Sequence, residues 1–168
     1  MKMAILFASL LILLVSCGEK TDDILAPSGL SSPIVTGIIV TDVQGNLLGA
    51  IGKPNVKLIG NNISNLGIYP NPVDSILRIS FDRYKAGLVN IWITPANISE
   101  DILTEVTGLN NLMKTNYNVL VFSQMLYAGH HTMEFNLNEY FNRAALSGYY
   151  RVYVGTEDEL LWDDILSI

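Results

Sequence analysis

The sequence predicts an all-β protein: an antiparallel β-sandwich with one short helical or irregular insertion, preceded by a signal peptide and a flexible tether. Three observations support this fold class. Short stretches rich in β-branched and aliphatic residues recur from residue 34 to the end of the chain, clusters of Gly, Pro, Asn and Asp separate them, and two of the stretches alternate between apolar and polar residues. Short strands at this spacing, joined by turn residues, are typical of an antiparallel sandwich.

The individual strands follow from these stretches. Residues 42–46 supply the turn of a first hairpin, and residues 155–159 supply the loop of a last one. Pro70 and Pro72 exclude a central strand over residues 66–72, because proline has no N–H to donate to a neighbouring strand. The predicted strands cover residues 34–41, 47–51, 76–81, 88–94, 119–122, 131–137, 149–154 and 160–166, with a further short strand at 56–59.

Alternation assigns faces to two of these strands, because successive side chains of a strand point to opposite sides of the sheet. The apolar residues of 76–81 share one face, and those of 88–94 do the same. The predicted inward sets are Leu77, Ile79 and Phe81 in the first strand and Val89, Ile91 and Ile93 in the second, with Asn90, Trp92 and Thr94 pointing the other way.

Residues 99–113 interrupt the strand pattern. Ser99 and the acidic residues after it can cap a helix, and apolar residues recur behind them at roughly helical spacing. Gly108 and the pair Asn110-Asn111 weaken a helix at this place. We therefore expect either one short helix or an irregular insertion between strands.

The first residues have the layout of an export signal. Lys2 is followed by a short apolar run that ends at Leu14-Val15-Ser16-Cys17, and this run is shorter than the about 20 apolar residues that span a membrane. The final four residues resemble the lipobox of bacterial lipoproteins; the alternative is an ordinary secretory signal that happens to contain a cysteine. The chain therefore divides into a signal peptide at 1–16, a flexible tether at 17–33 and a β-sandwich at 34–168.

The lipobox resemblance implies that Cys17 becomes the lipid-modified first residue of the mature chain, with the membrane as its partner. Gly18 rather than Asp follows it, and by analogy with the enterobacterial sorting rule this favours the outer membrane. The mostly acidic residues 19–23 are similar to the short export signals of surface lipoproteins in Bacteroidetes, or they form a solvated tether. The expected location is the outer membrane, facing either the periplasm or the cell surface.

Composition excludes several functions. Cys17 is the only cysteine, so no disulfide forms within one chain and no catalytic thiol or cysteine metal site exists in the sandwich. The formal net charge is −6, and loss of Lys2 with the signal makes the mature chain more acidic. An acidic chain with few basic residues is a poor partner for nucleic acid.

Two motifs far apart in the chain resemble known families. Tyr69-Pro70-Asn71-Pro72 precedes an alternating strand, and Gly148-Tyr149-Tyr150 opens a late one, in the order of the type A C-terminal sorting domain of the type IX secretion system. Residues 128–135 and 147–150 are similar to the immunoglobulin-like domain at the end of the flagellar hook-capping protein. Both resemblances cover about residues 66–168 and imply an immunoglobulin-like sandwich, to which residues 34–60 add an N-terminal hairpin region.

The resemblance implies structural roles for the motif residues. Pro70 and Pro72 fix their φ angles, so we expect a rigid, extended lead-in to the first strand. Tyr149 and Tyr150 follow a glycine that permits a tight turn, and we expect one of the two rings to close the end of the sandwich. The partner would be a component of the secretion system or another cell-surface protein.

Three groups of residues are candidates for binding or chemistry. His130 and His131 are adjacent in a strand and so point to opposite faces, which disfavours a shared metal ion. Trp92 and Trp162 are candidate ligand contacts of a carbohydrate-binding module, although most alternating aromatic residues in a sandwich belong to the core. Five carboxylates near the C-terminus could bind calcium or form an acid–base pair, and the simpler interpretation is that they solvate a hairpin loop and an edge strand. They are Glu157, Asp158, Glu159, Asp163 and Asp164.

The sequence has no nucleophile elbow, no phosphate-binding loop and no zinc-protease motif. We therefore assign no catalytic residue, no metal and no cofactor, and we predict a non-enzymatic interaction or structural module on a lipid anchor. Two alternatives stay open. One is a cargo of type IX secretion whose C-terminal domain is the sorting signal, and the other is a carbohydrate-binding module.

Overall fold

The computed structural model of the chain describes residues 32–100, 118–141 and 147–168. The predicted signal peptide, Cys17, nearly all of the tether and the predicted insertion from residue 101 onward lie outside the described residues. The described strands are β1 (Ile34–Val35), β2 (Gly37–Thr41), β3 (Leu47–Gly52), β4 (Ile63–Tyr69), β5 (Ile76–Arg83), β6 (Gly87–Pro95), β7 (Asn97–Ile98), β8 (Val119–Leu126), β9 (Gly129–Asn136), β10 (Gly148–Gly155) and β11 (Leu160–Ser167), with one short helix, α1 (Leu137–Tyr140).

Two antiparallel sheets form the sandwich, and the all-β prediction is confirmed. The larger sheet has the strand order β11-β10-β6-β8, and the smaller sheet has the order β4-β5-β9. Strands β2 and β3 form a separate antiparallel hairpin, as the sequence predicts, and β1 pairs with β7 in parallel. The predicted last hairpin is also present, because β10 and β11 are antiparallel neighbours.

The main core contains apolar side chains from both sheets. The inward sets predicted for β5 and β6 are fully buried, so the alternation in both strands is confirmed for these residues. The other face of β6 is not exposed to solvent, because Asn90, Trp92 and Thr94 are also buried. A second apolar cluster lies on the face of the larger sheet that points away from the main core, and β1 and β2 contribute residues to it. Its buried members are Val35, Ile38, Tyr149 and Leu166.

Three elements differ from the sequence prediction. The short strand at 56–59 is reduced to a single bridge between Lys57 and Trp162. Strand β4 was not predicted; it lies at the edge of the smaller sheet and ends immediately before Pro70, as the missing proline N–H requires. The predicted strand at 131–137 ends at Asn136, whose side chain accepts a hydrogen bond from the Asn138 N–H at 3.2 Å and so caps α1.

In the part of the chain that the structure describes, no helix has the length and apolar character needed to cross a membrane.

Candidate functional site

The Tyr69-Pro70-Asn71-Pro72 motif forms the connection from β4 to β5, and its asparagine is fully buried. The Asn71 side-chain amide donates to the carbonyls of Ile39, at 2.7 Å, and Asp164, at 3.0 Å. Its Oδ1 accepts from the N–H of Leu166 at 3.0 Å. One side chain thus supplies to β2 and β11 the hydrogen bonds that a neighbouring strand would supply.

The backbone of the same segment strengthens this link. The Thr41 N–H donates to the Asn71 carbonyl at 2.9 Å, and the Asn71 N–H donates back at 3.3 Å. Two residues later, the Val73 N–H donates to the Leu166 carbonyl at 2.8 Å, and Val73 accepts from the N–H of Ile168 at 3.0 Å. The motif therefore lies between the N-terminal hairpin and the C-terminal strand and fastens one to the other.

The second motif places two aromatic rings on opposite faces of the larger sheet. Tyr149 belongs to the second cluster with Val35 and Leu166, whereas Tyr150 belongs to the main core, where its ring centroid lies 5.4 Å from that of Phe141. Gly148 has a φ of 152°, which residues with a side chain rarely adopt. Burial raises the pKa of Tyr149, and among the described residues its hydroxyl has no hydrogen-bond partner. Both rings act in packing.

Trp92 and Trp162 belong to one cross-strand row, with Tyr153 between them. Trp92 is only 5% exposed, so it offers no free ring face for a sugar. The Trp162 indole N–H donates to the Asn55 carbonyl at 2.9 Å, and Lys57 Nζ and Arg151 Cζ each lie 5.7 Å from its ring centroid. Contacts within the chain thus already occupy both tryptophans.

The predicted solvated role of the C-terminal carboxylates is wrong for two of them. Asp164 is fully buried and forms a bidentate ion pair with Arg151, with distances of 2.6 Å to Nε and 2.7 Å to Nη2. Arg151 Nη2 also donates to the Ile34 carbonyl at 3.2 Å, which ties β1 to the pair. Burial raises the pKa of Asp164, and the Arg151 guanidinium opposes that rise.

Asp163 points to the opposite face of β11, beside Val152 of the neighbouring strand, and is only 4% exposed. Its Oδ1 accepts a hydrogen bond from the backbone N–H of Asp164 at 2.7 Å. Burial raises the pKa of Asp163 to about 7. The sequence predicts a solvated carboxyl here, because two consecutive aspartates are typical of a polar surface. Both residues are buried because each face of β11 is covered.

Two of the remaining carboxylates, Glu159 and Asp158, stabilise turns. Glu159 accepts hydrogen bonds from three successive backbone N–H groups, those of Asn61, Asn62 and Ile63, at 2.6, 3.0 and 2.6 Å, at the start of β4. Asp158 accepts from Lys85 Nζ at 3.0 Å and from Thr156 at 2.9 Å. The five carboxylates are therefore dispersed and do not converge on one acid–base site.

The two histidines have separate partners, on the opposite faces that the strand geometry requires. His130 Nδ1 lies 2.8 Å from Asp82 Oδ1, and His131 Nε2 lies 2.8 Å from the Tyr127 carbonyl. The His131 ring lies 5.7 Å from that of Phe81. Within residues 32–100, 118–141 and 147–168, no group of three His, Cys, Asp or Glu side chains is placed to hold a metal ion.

A depression of about 30 Å³ lies between the β5–β6 turn and the β10–β11 loop, lined in part by Asn62, Arg83, Lys85 and Asp158. This volume accommodates about one water molecule, whereas pockets for drug-sized ligands measure about 300–1,000 Å³. Arg83 is buried there and donates to the carbonyl of Gly87 at 2.5 Å and to that of Leu126 at 3.4 Å. The depression is thus a small gap between two neighbouring turns and is too small to bind a ligand of that size.

Strand β3 is the most exposed apolar element of the described sandwich. Leu47 is 71% exposed and Leu48 is 67% exposed, and Gly49 and Ala50 beside them are also exposed. Among the described residues, β3 pairs only with β2, so its outer edge has free backbone N–H and C=O groups. Sequence reasoning found the strand but missed its exposure. The sequence feature that indicates this exposure is the pair Leu47-Leu48, which breaks the alternation of apolar and polar residues in the second strand of the hairpin.

No protein-family model, no curated protein and no solved structure matches this chain.

Proposed function

We propose that this chain is a lipid-anchored lipoprotein of the bacterial outer membrane, facing the periplasm or the cell surface, whose β-sandwich is a non-enzymatic interaction module. The sequence of residues 1–17 supports the anchor, with its short apolar run and the cysteine that follows Ser16. Several acyl chains on one cysteine hold a protein on a membrane firmly, since each buried methylene contributes about 0.8 kcal/mol. The first described strand, β1, begins at Ile34, immediately after the proposed tether.

The observation that carries the interaction role is the exposed edge of β3. An edge strand without charged residues can accept a further strand, and β3 offers such an edge on either side of the bulge at Leu48. Binding by strand addition uses main-chain hydrogen bonds for affinity and alternate side chains for specificity. Leu47 and Leu48 are exposed apolar side chains available for such contacts, and the strand contains no charged residue.

The contacts of the carboxylates support a structural rather than catalytic use of the charged residues. Asp164 neutralises Arg151, Glu159 caps the start of β4, and Asp158 pairs with Lys85. Each group is held by partners that fix a turn or join two elements.

Protease shaving of intact cells tests the location, with membrane fractionation as a companion measurement. Cys17→Ser should move the protein from the membrane to the soluble fraction, whereas Ser16→Ala keeps a small residue before the cysteine and should leave it in the membrane. Membrane retention of Cys17→Ser would contradict the anchor. Cleavage of the wild-type chain on intact cells would place the sandwich at the surface, and protection would place it in the periplasm.

A second candidate is a type IX secretion cargo whose immunoglobulin-like C-terminal domain is the sorting signal. One observation favours it: the two motifs of the sorting-domain resemblance come together on β11. Tyr149 is the cross-strand partner of Leu166, and the Leu166 N–H donates to Asn71. Loss of surface display after deletion of a secretion-system component would support this candidate, and unchanged display would refute it.

A further inference from the structure

We infer that the outer face of the β2–β3 hairpin lies on the lipid surface in which the chain is anchored, with Leu47 and Leu48 in contact with the boundary between headgroups and acyl chains. This inference rests on the lipid anchor proposed above and adds a second membrane contact, made by the folded sandwich itself. It concerns the exposed side chains of the hairpin and is separate from strand addition at the edge of β3.

The register of the hairpin defines this outer face. Ile51 packs against the second cluster, so its neighbour Ala50 points away from that cluster. Leu47 lies opposite Thr41, two residues along β2 from the partner of Ala50, and therefore shares the face of Ala50. Leu48 is the extra residue of a β-bulge between these pairs. The outer face of β3 thus presents apolar side chains, with Leu48 exposed beside them.

The bulge favours a lipid surface over a protein strand as the partner of the two leucines. At a bulge the ladder of backbone hydrogen bonds is interrupted and the strand bends, so a regular partner strand cannot continue past Leu48. Burial of apolar side chains in lipid is non-directional and requires no register. A lipid surface therefore covers Leu47 and Leu48 together without matching the irregular backbone.

The chain enters the sandwich on the same side as the hairpin. Val35 of β1 and Ile38 of β2 are both buried in the second cluster, on the face of the larger sheet that points away from the main core. Ile34, the first residue of β1, precedes Val35 and is itself exposed. A membrane anchor that precedes β1 therefore draws this side of the sandwich, and the hairpin with it, toward the lipid.

The chain between the anchor and the hairpin is short. Residues 18–33 separate Cys17 from β1, and a chain of this length spans at most about 60 Å. Short linkers hold the parts that they join at an effective concentration of about millimolar. A membrane contact that is too weak to bind a free protein is therefore populated once the chain is anchored.

The charges around the hairpin also suit a lipid surface. Residues 43–52 carry no charge, and the carboxylate of Asp42 accepts hydrogen bonds from Gln44 and Asn46 within the turn. The exposed Lys53 follows β3 directly, and a lysine at a membrane surface is attracted to lipid phosphates. The outer-edge backbone groups of β3, which have no strand partner among the described residues, keep the strand at the hydrated headgroups, so only side chains reach the acyl chains.

A fluorescent label on the hairpin of the full-length, lipid-anchored chain tests this contact. The lipid on Cys17 occupies its sulfur, so Leu48→Cys introduces the one reactive thiol for an environment-sensitive dye. Met125→Cys is the matched control, because Leu48 and Met125 are each 67% exposed and Met125 lies on β8, at the edge of the larger sheet opposite β11. In phosphatidylcholine vesicles with brominated acyl chains, emission from the Leu48→Cys label should fall at least about twofold relative to unbrominated vesicles, and emission from the control label should not change.

Three results would overturn the proposal. They are equal quenching of the two labels, no quenching of the hairpin label, and shielding of the hairpin label in native outer-membrane preparations but not in pure lipid vesicles, which would show that a protein covers this face. Failure of the anchor is recognised separately: the wild-type Cys17 thiol would then react with the dye, the protein would not float with the vesicles, and this inference would fall with the anchor.

Photolabelling is a second readout that leaves the hairpin free of dye. In vesicles of phosphatidylcholine with a diazirine on the acyl chain, the wild-type chain should form lipid adducts on residues 43–52. Leu47→Gln combined with Leu48→Gln should lower these adducts at least about fivefold, because two apolar side chains no longer hold the hairpin on the lipid. Leu120→Gln, at an exposed position of β8, is the control and should leave them unchanged. Adducts confined to residues before β1 would contradict the proposal and leave the lipid anchor in place.

Discussion

The N–H of Leu166 donates a hydrogen bond of 3.0 Å to the side-chain oxygen of Asn71, across 95 residues of sequence. The Asn71 amide group at the same time donates to Ile39 and Asp164. The fully buried Asn71 amide is the hydrogen-bond partner of three backbone groups on two strands, so its removal leaves all three unpaired. Each unpaired buried group lowers the stability of the folded state by about 1–3 kcal/mol. Asn71 therefore joins the hairpin to the last strand of the sandwich through one buried side chain.

Asn71→Ala should lower the free energy of unfolding by about 3 kcal/mol or more, because three buried backbone groups lose their partner. Urea denaturation followed by tryptophan fluorescence measures this loss. Asn138→Ala is the matched control, since Asn138 is exposed and takes part in capping through its backbone N–H. Equal losses for the two variants would contradict the role assigned to Asn71.

Asp163→Asn should make the protein more stable at pH 8 and change the pH dependence of stability. The pKa of Asp163 is raised by burial from 3.8 to about 7, so the folded state binds a proton more tightly than the unfolded state. Its contribution to stability is full below about pH 4 and is lost as the pH rises to about 7, a total of about 4 kcal/mol for a shift of about three pH units.

Urea denaturation of wild type and Asp163→Asn at several pH values between 4 and 8 measures this difference. Asp158→Asn is the control, because hydrogen bonds from Lys85 and Thr156 lower the pKa of Asp158 from its ordinary 3.8. The contribution of Asp158 is lost only in solution more acidic than that value, so between pH 4 and 8 the profile of Asp158→Asn should run parallel to that of the wild type. Parallel pH profiles for wild type and Asp163→Asn would refute the assignment.

Asp164→Ala should destabilise the protein by about 3–5 kcal/mol, because it leaves the buried Arg151 guanidinium without its carboxylate. The double variant Arg151→Met with Asp164→Leu should recover much of this loss, since well-packed apolar residues replace buried ion pairs at little cost. A double-mutant cycle from thermal or urea unfolding gives the coupling. Additive losses would show that the pair does not act as a unit.

Tyr149→Phe should leave stability unchanged or slightly increased. The Tyr149 hydroxyl is buried and has no hydrogen-bond partner in the part of the chain that the structure describes. Its removal takes away a desolvated polar group and keeps the ring in the second cluster. Tyr149→Ala tests the ring itself and should cost about 3–5 kcal/mol, as for other large aromatic residues. A marked loss on Tyr149→Phe in thermal unfolding would show that the hydroxyl has a stabilising contact.

The sequence predicts the strands well where the pattern is local. Alternation identifies the inward faces of β5 and β6, and turn residues identify the hairpins β2–β3 and β10–β11. It does not predict what covers the second face of β6 and β10, because that depends on the attachment of a hairpin distant in sequence. The sequence therefore predicts surface positions for Asp163 and Asp164, although they are buried on opposite faces of one strand.

The candidate site shows the same limit. The Tyr-Pro-Asn-Pro motif was identified from its residues, but the partners of Asn71 lie in β2 and β11, and only the folded structure brings them together. The exposure of β3 likewise results from tertiary structure, since Leu47 and Leu48 would be core residues if another strand covered them. The local sequence pattern determines which residues form a strand. Long-range packing determines whether that strand is exposed or buried.

The proposed identity as an anchored lipoprotein depends on Cys17, and mass spectrometry of the N-terminal peptide of the mature protein tests it most directly. We predict a mature chain that begins at Cys17, with a diacylglyceryl group on the sulfur and the preceding sixteen residues removed. An N-terminus at any other residue, or an unmodified Cys17 thiol in the membrane-isolated protein, would contradict the lipoprotein assignment.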